Sequence, residues 1–215
     1  RSNTIKAIVG LSIFYSINND FKIKEKLISI LLAVLLIGSL ISSSDFLKLR
    51  YKDQILYPIR NFLNADVKSI EDESNSGISI YASLYKSGYS VFKNYPLFGV
   101  GNKNYRVETC VEIKKPNYLC NTHPHQIYFE FLSEHGFIGT IILLFVFFSL
   151  IFGKLKIILE SRNYIQIGCC IFLFNLYIPF LPSGAFFGDY NFTIFWLNLS
   201  LMYALNKKTN IFTKS

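Results

Sequence analysis

The chain has 215 residues, 51% of them hydrophobic and only 17% charged, with a formal net charge of +8. A water-soluble domain of this size must cover itself with polar side chains, so the balance argues against one. The surplus Lys and Arg sit beside apolar runs, which fits a protein oriented in a membrane by positive charge and speaks against a nucleic-acid partner.

The sequence opens on Arg1 rather than Met, so it is expected to be part of a longer protein, and nothing near its start reads as a cleavable signal peptide. Apolar runs cover residues 5–17, 27–42, 137–152, 164–181 and 192–205. Each is somewhat shorter than the ~20 residues of a spanning helix, but aromatic and small flanks extend most of them. The first contains Lys6 and has an interfacial helix as its alternative. Three basic segments lie between or after these runs: Lys22, Lys24 and Lys26; Lys154, Lys156 and Arg162; Lys207, Lys208 and Lys214. Short basic loops stay in the cytoplasm. If the runs alternate across a bilayer, all three fall on that side, and residues 43–135 and 182–189 face the periplasm of a bacterium.

The expected fold is an all-α polytopic membrane protein with about five transmembrane helices and one large, partly helical periplasmic loop. Residues 1–42 form two spans, 43–136 the loop that carries the chemistry, and 137–215 three spans and a basic tail. Between residues 43 and 134 eleven Lys/Arg nearly balance ten Asp/Glu, and Tyr and Phe are frequent, so the loop can bury a small core or lie on the membrane. After the polar lead-in at 71–76, residues 77–94 have helical periodicity, with Ile78, Tyr81, Ala82, Tyr85, Tyr89 and Phe92 on one face and Pro96 ending the helix. A second helix is expected from near Thr122, with Pro124 in its first turn, to Glu134, with Gly136 as its cap.

Cys110 and Cys120 precede Asn121-Thr122-His123-Pro124-His125-Gln126. In a periplasmic loop a disulfide is the favoured reading, since that compartment is oxidising. A metal site of two Cys and two His, or free thiols, are the alternatives. Cys169 and Cys170, inside an apolar run, read as small buried side chains. His125 is expected in the first turn of the second helix, sharing a face with Tyr128, Phe129 and Leu132, with Glu130 roughly opposite. An imidazole there is a general base near neutral pH or merely a helix-start cap. Phe98-Gly99-Val100-Gly101-Asn102 reads as a sharp turn; no Lys-Ser/Thr follows to make it a phosphate loop. Arg1, Lys86, Lys93, Lys103 and Arg106 are cations available to an anionic substrate, and Arg holds a diphosphate best.

Three stretches resemble the O-antigen ligase and polymerase family: Tyr95-Pro96-Leu97-Phe98-Gly99-Val100-Gly101-Asn102, His123-Pro124-His125-Gln126-Ile127-Tyr128-Phe129-Glu130, and Leu132-Ser133-Glu134-His135-Gly136-Phe137-Ile138-Gly139. Pro182-Ser183-Gly184-Ala185 before the last apolar run is similar too. The resemblance implies a GT-C type membrane glycosyltransferase of the bacterial inner membrane, metal-independent and without a cofactor. Its implied partners are a polyprenyl-diphosphate-linked glycan donor, a lipid A–core or glycan acceptor, and the lipid bilayer. It implies His125 as the catalytic residue acting on the acceptor hydroxyl, with His123 and Gln126 in support, and Arg1 as a cation for the diphosphate; Lys86, Arg60 and Arg106 are the alternatives for a further cation there. Many members carry Arg at the start of the loop helix; this chain has Tyr81 there, with Tyr85 four residues on. An O-antigen ligase is the leading expectation, a polymerase joining repeat units the alternative, and a transporter or flippase component the alternative from another class.

Overall fold

A computed structural model of the chain describes residues 2–18, 21–48, 79–111, 115, 117–179 and 181–210. Arg1, Arg60 and the polar lead-in at 71–76 lie outside these. Among the described residues every regular element is helical. The chain divides into two compact units, residues 18–83 and residues 1–17 with 84–215.

In the first unit, α2 (Ile23–Ser43) starts where the Glu25 carboxylate accepts the Lys22 backbone N–H at 2.9 Å, satisfying one of the free donors of a helix start. It is apolar along nearly its whole length and buries none of its side chains, as a lipid-facing helix does. The single turn α3 (Asp45–Leu47) follows, capped by Ser44 Oγ.

The second unit holds α1 (Ser2–Ile17), α4 (Ser79–Asn94, from Leu84 on), α5 (Tyr105–Val111), α6 (Ile127–Phe152), α7 (Leu155–Ser161), α8 (Tyr164–Leu176) and α9 (Asp189–Ala204). Its core gathers Phe131, Phe147, Ile151, Leu173, Phe195 and Met202, with Phe186 packed edge-on against Phe131 and Phe195. Buried amides join the helices in place of charges. Asn175 Nδ2 donates to the Lys6 carbonyl at 3.1 Å, and a side chain at Gly10 would collide with that amide. Gln166 Nε2 donates to the Met202 carbonyl at 2.6 Å and to Thr209 Oγ1 at 2.9 Å. Such bonds, with small residues at the contact, hold helices together where lipid removes the hydrophobic drive.

Two helical stretches, Ile23–Ser43 and Ile127–Ser161, are long and apolar enough to cross a membrane. Helices α1, α8 and α9 occupy the other apolar runs but have 16, 13 and 16 residues, which rise roughly 20–24 Å. The basic segment at 153–163, expected as a loop, contains α7: Leu155 to Ser161 wind into a helix because Ile158 is fully buried. Arg162, at φ 52°, ends it.

Candidate active site

Helix α6 is two helices joined at Gly136, whose φ of 64° and ψ of −169° are not helical. A break of this kind leaves carbonyls without donors on one side and N–H groups without acceptors on the other. The turn after α4 supplies both. Val100 and Gly101 N–H donate to the Ser133 and Glu134 carbonyls at 3.0 and 2.8 Å. Phe137 and Ile138 N–H donate to the Pro96 and Leu97 carbonyls at 2.8 and 3.3 Å. The Glu134 carboxylate, buried, accepts the Lys103 N–H at 2.9 Å. So two of the quoted sequence stretches form one interlocked unit.

The third stretch packs on α4. The buried positions of α4 are Leu84, Ser87, Gly88 and Val91, while Ala82 and Tyr89 are exposed. The stripe expected from the sequence is therefore turned. Its apolar count overlooked Ser87 and Gly88, whose smallness lets other segments approach: a Cβ on Gly88 would lie 2.8 Å from Pro124 and 3.1 Å from Phe129. Ser87 Oγ accepts from Tyr105 Oη at 2.7 Å and from the Leu119 N–H at 2.9 Å. Tyr85 stacks on Phe129 with ring centroids 5.5 Å apart.

Cys110 of α5 and Cys120 are joined as a disulfide, so their thiolates are not available for the alternative metal site. The bridge ties α5 to the strap of residues 121–126. Within that strap Thr122 Oγ1 lies 2.9 Å from His123 Nδ1, and the His123 and His125 rings face each other with centroids 3.9 Å apart. His125 has φ 56°, a left-handed conformation that costs a side-chain-bearing residue roughly 1–2 kcal/mol.

The expected start of the second helix needs correcting. It begins at Ile127, not near Thr122, and neither Pro124 nor His125 lies in its first turn. Gln126 is the N-cap: its Oε1 accepts from the Tyr128 and Phe129 N–H groups at 2.8 and 3.0 Å. His125 is held ahead of the helix instead, where a positive φ cannot be helical.

The segment after α8 closes the site. Ser183 N–H donates to the His125 carbonyl at 2.8 Å. Phe186 N–H donates to both oxygens of Glu130, at 2.9 and 3.0 Å. Tyr128 Oη donates to the Tyr177 carbonyl at 2.6 Å. Glu130, expected to point away from the site, is buried against this segment. Ser183 Oγ and His123 Nε2 are buried and have no hydrogen-bond partner among the described residues.

A family model described as O-antigen ligase matches residues 1–144, more than half of the chain, and takes in the turn, the histidine strap and the break at Gly136. The chain belongs to the O-antigen ligase family. Its members are glycan ligase- or polymerase-type enzymes acting on lipid-linked glycans. No curated protein matches the chain.

Burial disfavours the charged form of both histidines of this O-antigen ligase homologue. It pushes His123 down to about 4, helped by the neighbouring charge of His125 and partly offset by the nearby Ser183 backbone. It lowers His125 as well, again against a Ser183 backbone hydrogen bond. Glu130 is raised to about 8, chiefly by burial and further by the charge of Glu134, although the Phe186 and Phe187 backbones favour its ionised form. Burial raises Glu134 too, against the Lys103 and Tyr105 backbones.

The structure thus brings His123 and His125 together, gives Gln126 a capping role, and bonds Cys110 to Cys120. Lys86 and Arg106 are exposed on α4 and α5, and neither forms an ion pair with a described residue. Arg1 lies outside the described residues. His135 packs its ring on Phe187, centroids 5.1 Å apart, as a structural residue would. Glu130 and Ser183 were missed from the sequence. The only signal for Glu130 was a carboxylate four residues from Glu134 in an otherwise apolar-aromatic run.

Proposed function

We propose that the chain transfers a glycan from a polyprenyl-diphosphate carrier to lipid A–core, as an O-antigen ligase of the bacterial inner membrane. The observation that carries this reading is the pairing of buried His123 with half-buried His125, their rings 3.9 Å apart, in a strap tied through the His125 carbonyl beside the glycine-locked turn. A neutral imidazole is the form that accepts a proton.

In this reading the acceptor hydroxyl attacks the anomeric carbon of the donor sugar. Its proton passes to His125, and the bond from the sugar to the diphosphate breaks with the electron pair leaving on the polyprenyl diphosphate. The leaving group is already good, so positioning and charge stabilisation supply much of the catalysis. His123 and Gln126 support His125, one by ring contact and one by fixing the helix start behind it. Arg1, Lys86 and Arg106 are the candidate cations for the diphosphate.

In this reading two spans in 1–42 and three in 137–215 flank the loop 43–136, which carries the site on the outer side. The three basic segments support that orientation. A transporter would concentrate ionisable groups at mid-membrane; here the buried polar side chains of α8 serve helix contacts.

Deletion of the gene and complementation with the full-length protein tests the assignment. A ligase leaves unattached polymer on its carrier, whereas a polymerase leaves lipopolysaccharide with a single repeat. A deletion strain with normal O-chains refutes both.

A further inference from the structure

The turn that locks the broken helix also carries two of the most exposed apolar side chains outside the long helices. Leu97 is 58% exposed and Phe98 70%. The backbone beneath them is held in place: Leu97 O accepts from Ile138 N–H, and a Cβ at Gly136 would meet Leu97 O and Phe98 N. Leu97 and Phe98 are therefore fixed beside the first residues of the second half of α6. Those residues are uncovered as well. Phe137, Ile138, Ile141 and Phe145 are 55%, 40%, 50% and 71% exposed, and the four-residue steps from 137 through 141 to 145 lie on one face. The apolar surface of the turn thus continues directly into the face of a helix long and apolar enough to cross a membrane.

The turn sits at one end of that face, its backbone bonded to Phe137 and Ile138. The chemistry at its margin is that of a headgroup layer: Tyr95, just before the turn, has Lys115 Nζ 5.4 Å from its ring centroid, and Lys93 Nζ lies 4.9 Å from that of Tyr89. Amphipathic aromatics and long cations are the residues that settle at a membrane interface.

We propose that the Leu97–Phe98 turn is inserted in the outer leaflet of the bilayer, at the boundary between headgroups and acyl chains, as a lipid anchor for the extramembrane part of the protein. The occupant of this face is lipid, because the same uncovered surface runs unbroken onto the spanning helix. The turn then sets the height of the histidine strap above the hydrocarbon through the Ser133–Ile138 lock. This placement does not depend on which glycan is transferred.

The test uses the full-length protein in pure phospholipid vesicles, with Cys169 and Cys170 replaced by Ala and a single cysteine at Phe98 or, as a lipid standard, at Ile141. Each is labelled with an environment-sensitive fluorophore; the glutathione conjugate of the dye is the water standard. The expected result is a blue-shifted emission at position 98. Spin-labelled lipids carrying the nitroxide near the acyl carbonyl should quench it more than lipids labelled near the chain end, with the opposite order at position 141. Emission and iodide quenching at position 98 equal to the glutathione conjugate overturn the proposal. A blue shift that no lipid-borne quencher reduces means protein covers the turn, and overturns it equally.

Discussion

Gly99 and Gly136 stand back to back, each in the left-handed region, at φ 67° and 64°. A Cβ on Gly99 would fall 2.5 Å from the Glu134 oxygen and the His135 nitrogen; one on Gly136 would fall 2.5 Å from the Phe98 nitrogen. The obstacles are backbone atoms, which cannot swing aside. The helix break and the turn are thus two halves of one fitting, and neither tolerates a side chain.

Replacing either glycine by Ala should therefore be severe. The φ alone costs roughly 1–2 kcal/mol for a non-glycine residue, and the collision adds to it by forcing apart the four backbone bonds of the lock. Gly99→Ala and Gly136→Ala should each lower the thermal midpoint of the detergent-solubilised protein. The double variant should lose less than the sum, because the first substitution has already opened the lock. A Gly136→Ala protein with unchanged melting would show that the close approach is not required.

Glu130 links stability to pH. Its folded-state value, about 8, lies above the ordinary 4.5, so between these values the folded state binds more protons than the unfolded chain. Stability must then fall as pH rises through that window and level off above it. Glu130→Gln keeps an oxygen for the Phe186 N–H but carries no charge, so its melting temperature should fall less between pH 5 and 8 than that of the parent. Parallel pH profiles for the two proteins would dismiss Glu130 as the source.

What the sequence revealed and what it hid divide along local and distant contacts. Pro96 ending α4 and Gly136 breaking the next helix were readable because each residue's own backbone imposes the outcome. The rotation of α4 was not, since Ser87 and Gly88 face inward for the sake of Tyr105, Leu119, Pro124 and Phe129. Glu130 was invisible as a site residue because its partner, Phe186, is 56 positions away. The start of α6 was misplaced by a short-range competition: Gln126 caps the helix with its own amide oxygen, and Pro124 then belongs to the strap.

The disulfide offers a cleaner test of the strap. Cys110 and Cys120 are 10 residues apart, and their bond fixes the end of α5 to the residue before Asn121. Closing a loop of this length is worth about 2–3 kcal/mol in the chain-entropy model. Cys110→Ser with Cys120→Ser, or reduction of the parent, should destabilise the protein by a similar amount, read as a lower melting temperature. Transfer should weaken by more than stability alone explains, because the strap carries both histidines. Prompt reaction of both thiols with a maleimide before any reductant is added contradicts the bond.

His125 decides the mechanism. Burial lowers its pKa below the ordinary 6.5, so the imidazole stays neutral, and able to take a proton, to a more acidic pH than a free histidine would. If it is the base, the transfer rate of the reconstituted full-length protein should hold steady from pH 8 down past 6.5 and fall only below that. His125→Ala should abolish transfer while leaving the protein's amount in the membrane unchanged. His123→Ala should slow transfer and shift the acid limb upward, because the neighbouring ring no longer shields His125 from water. A rate that already declines between pH 7.5 and 6.5, or normal O-chain attachment in the His125→Ala strain, removes His125 from the chemistry and leaves it a strained residue that only shapes the strap.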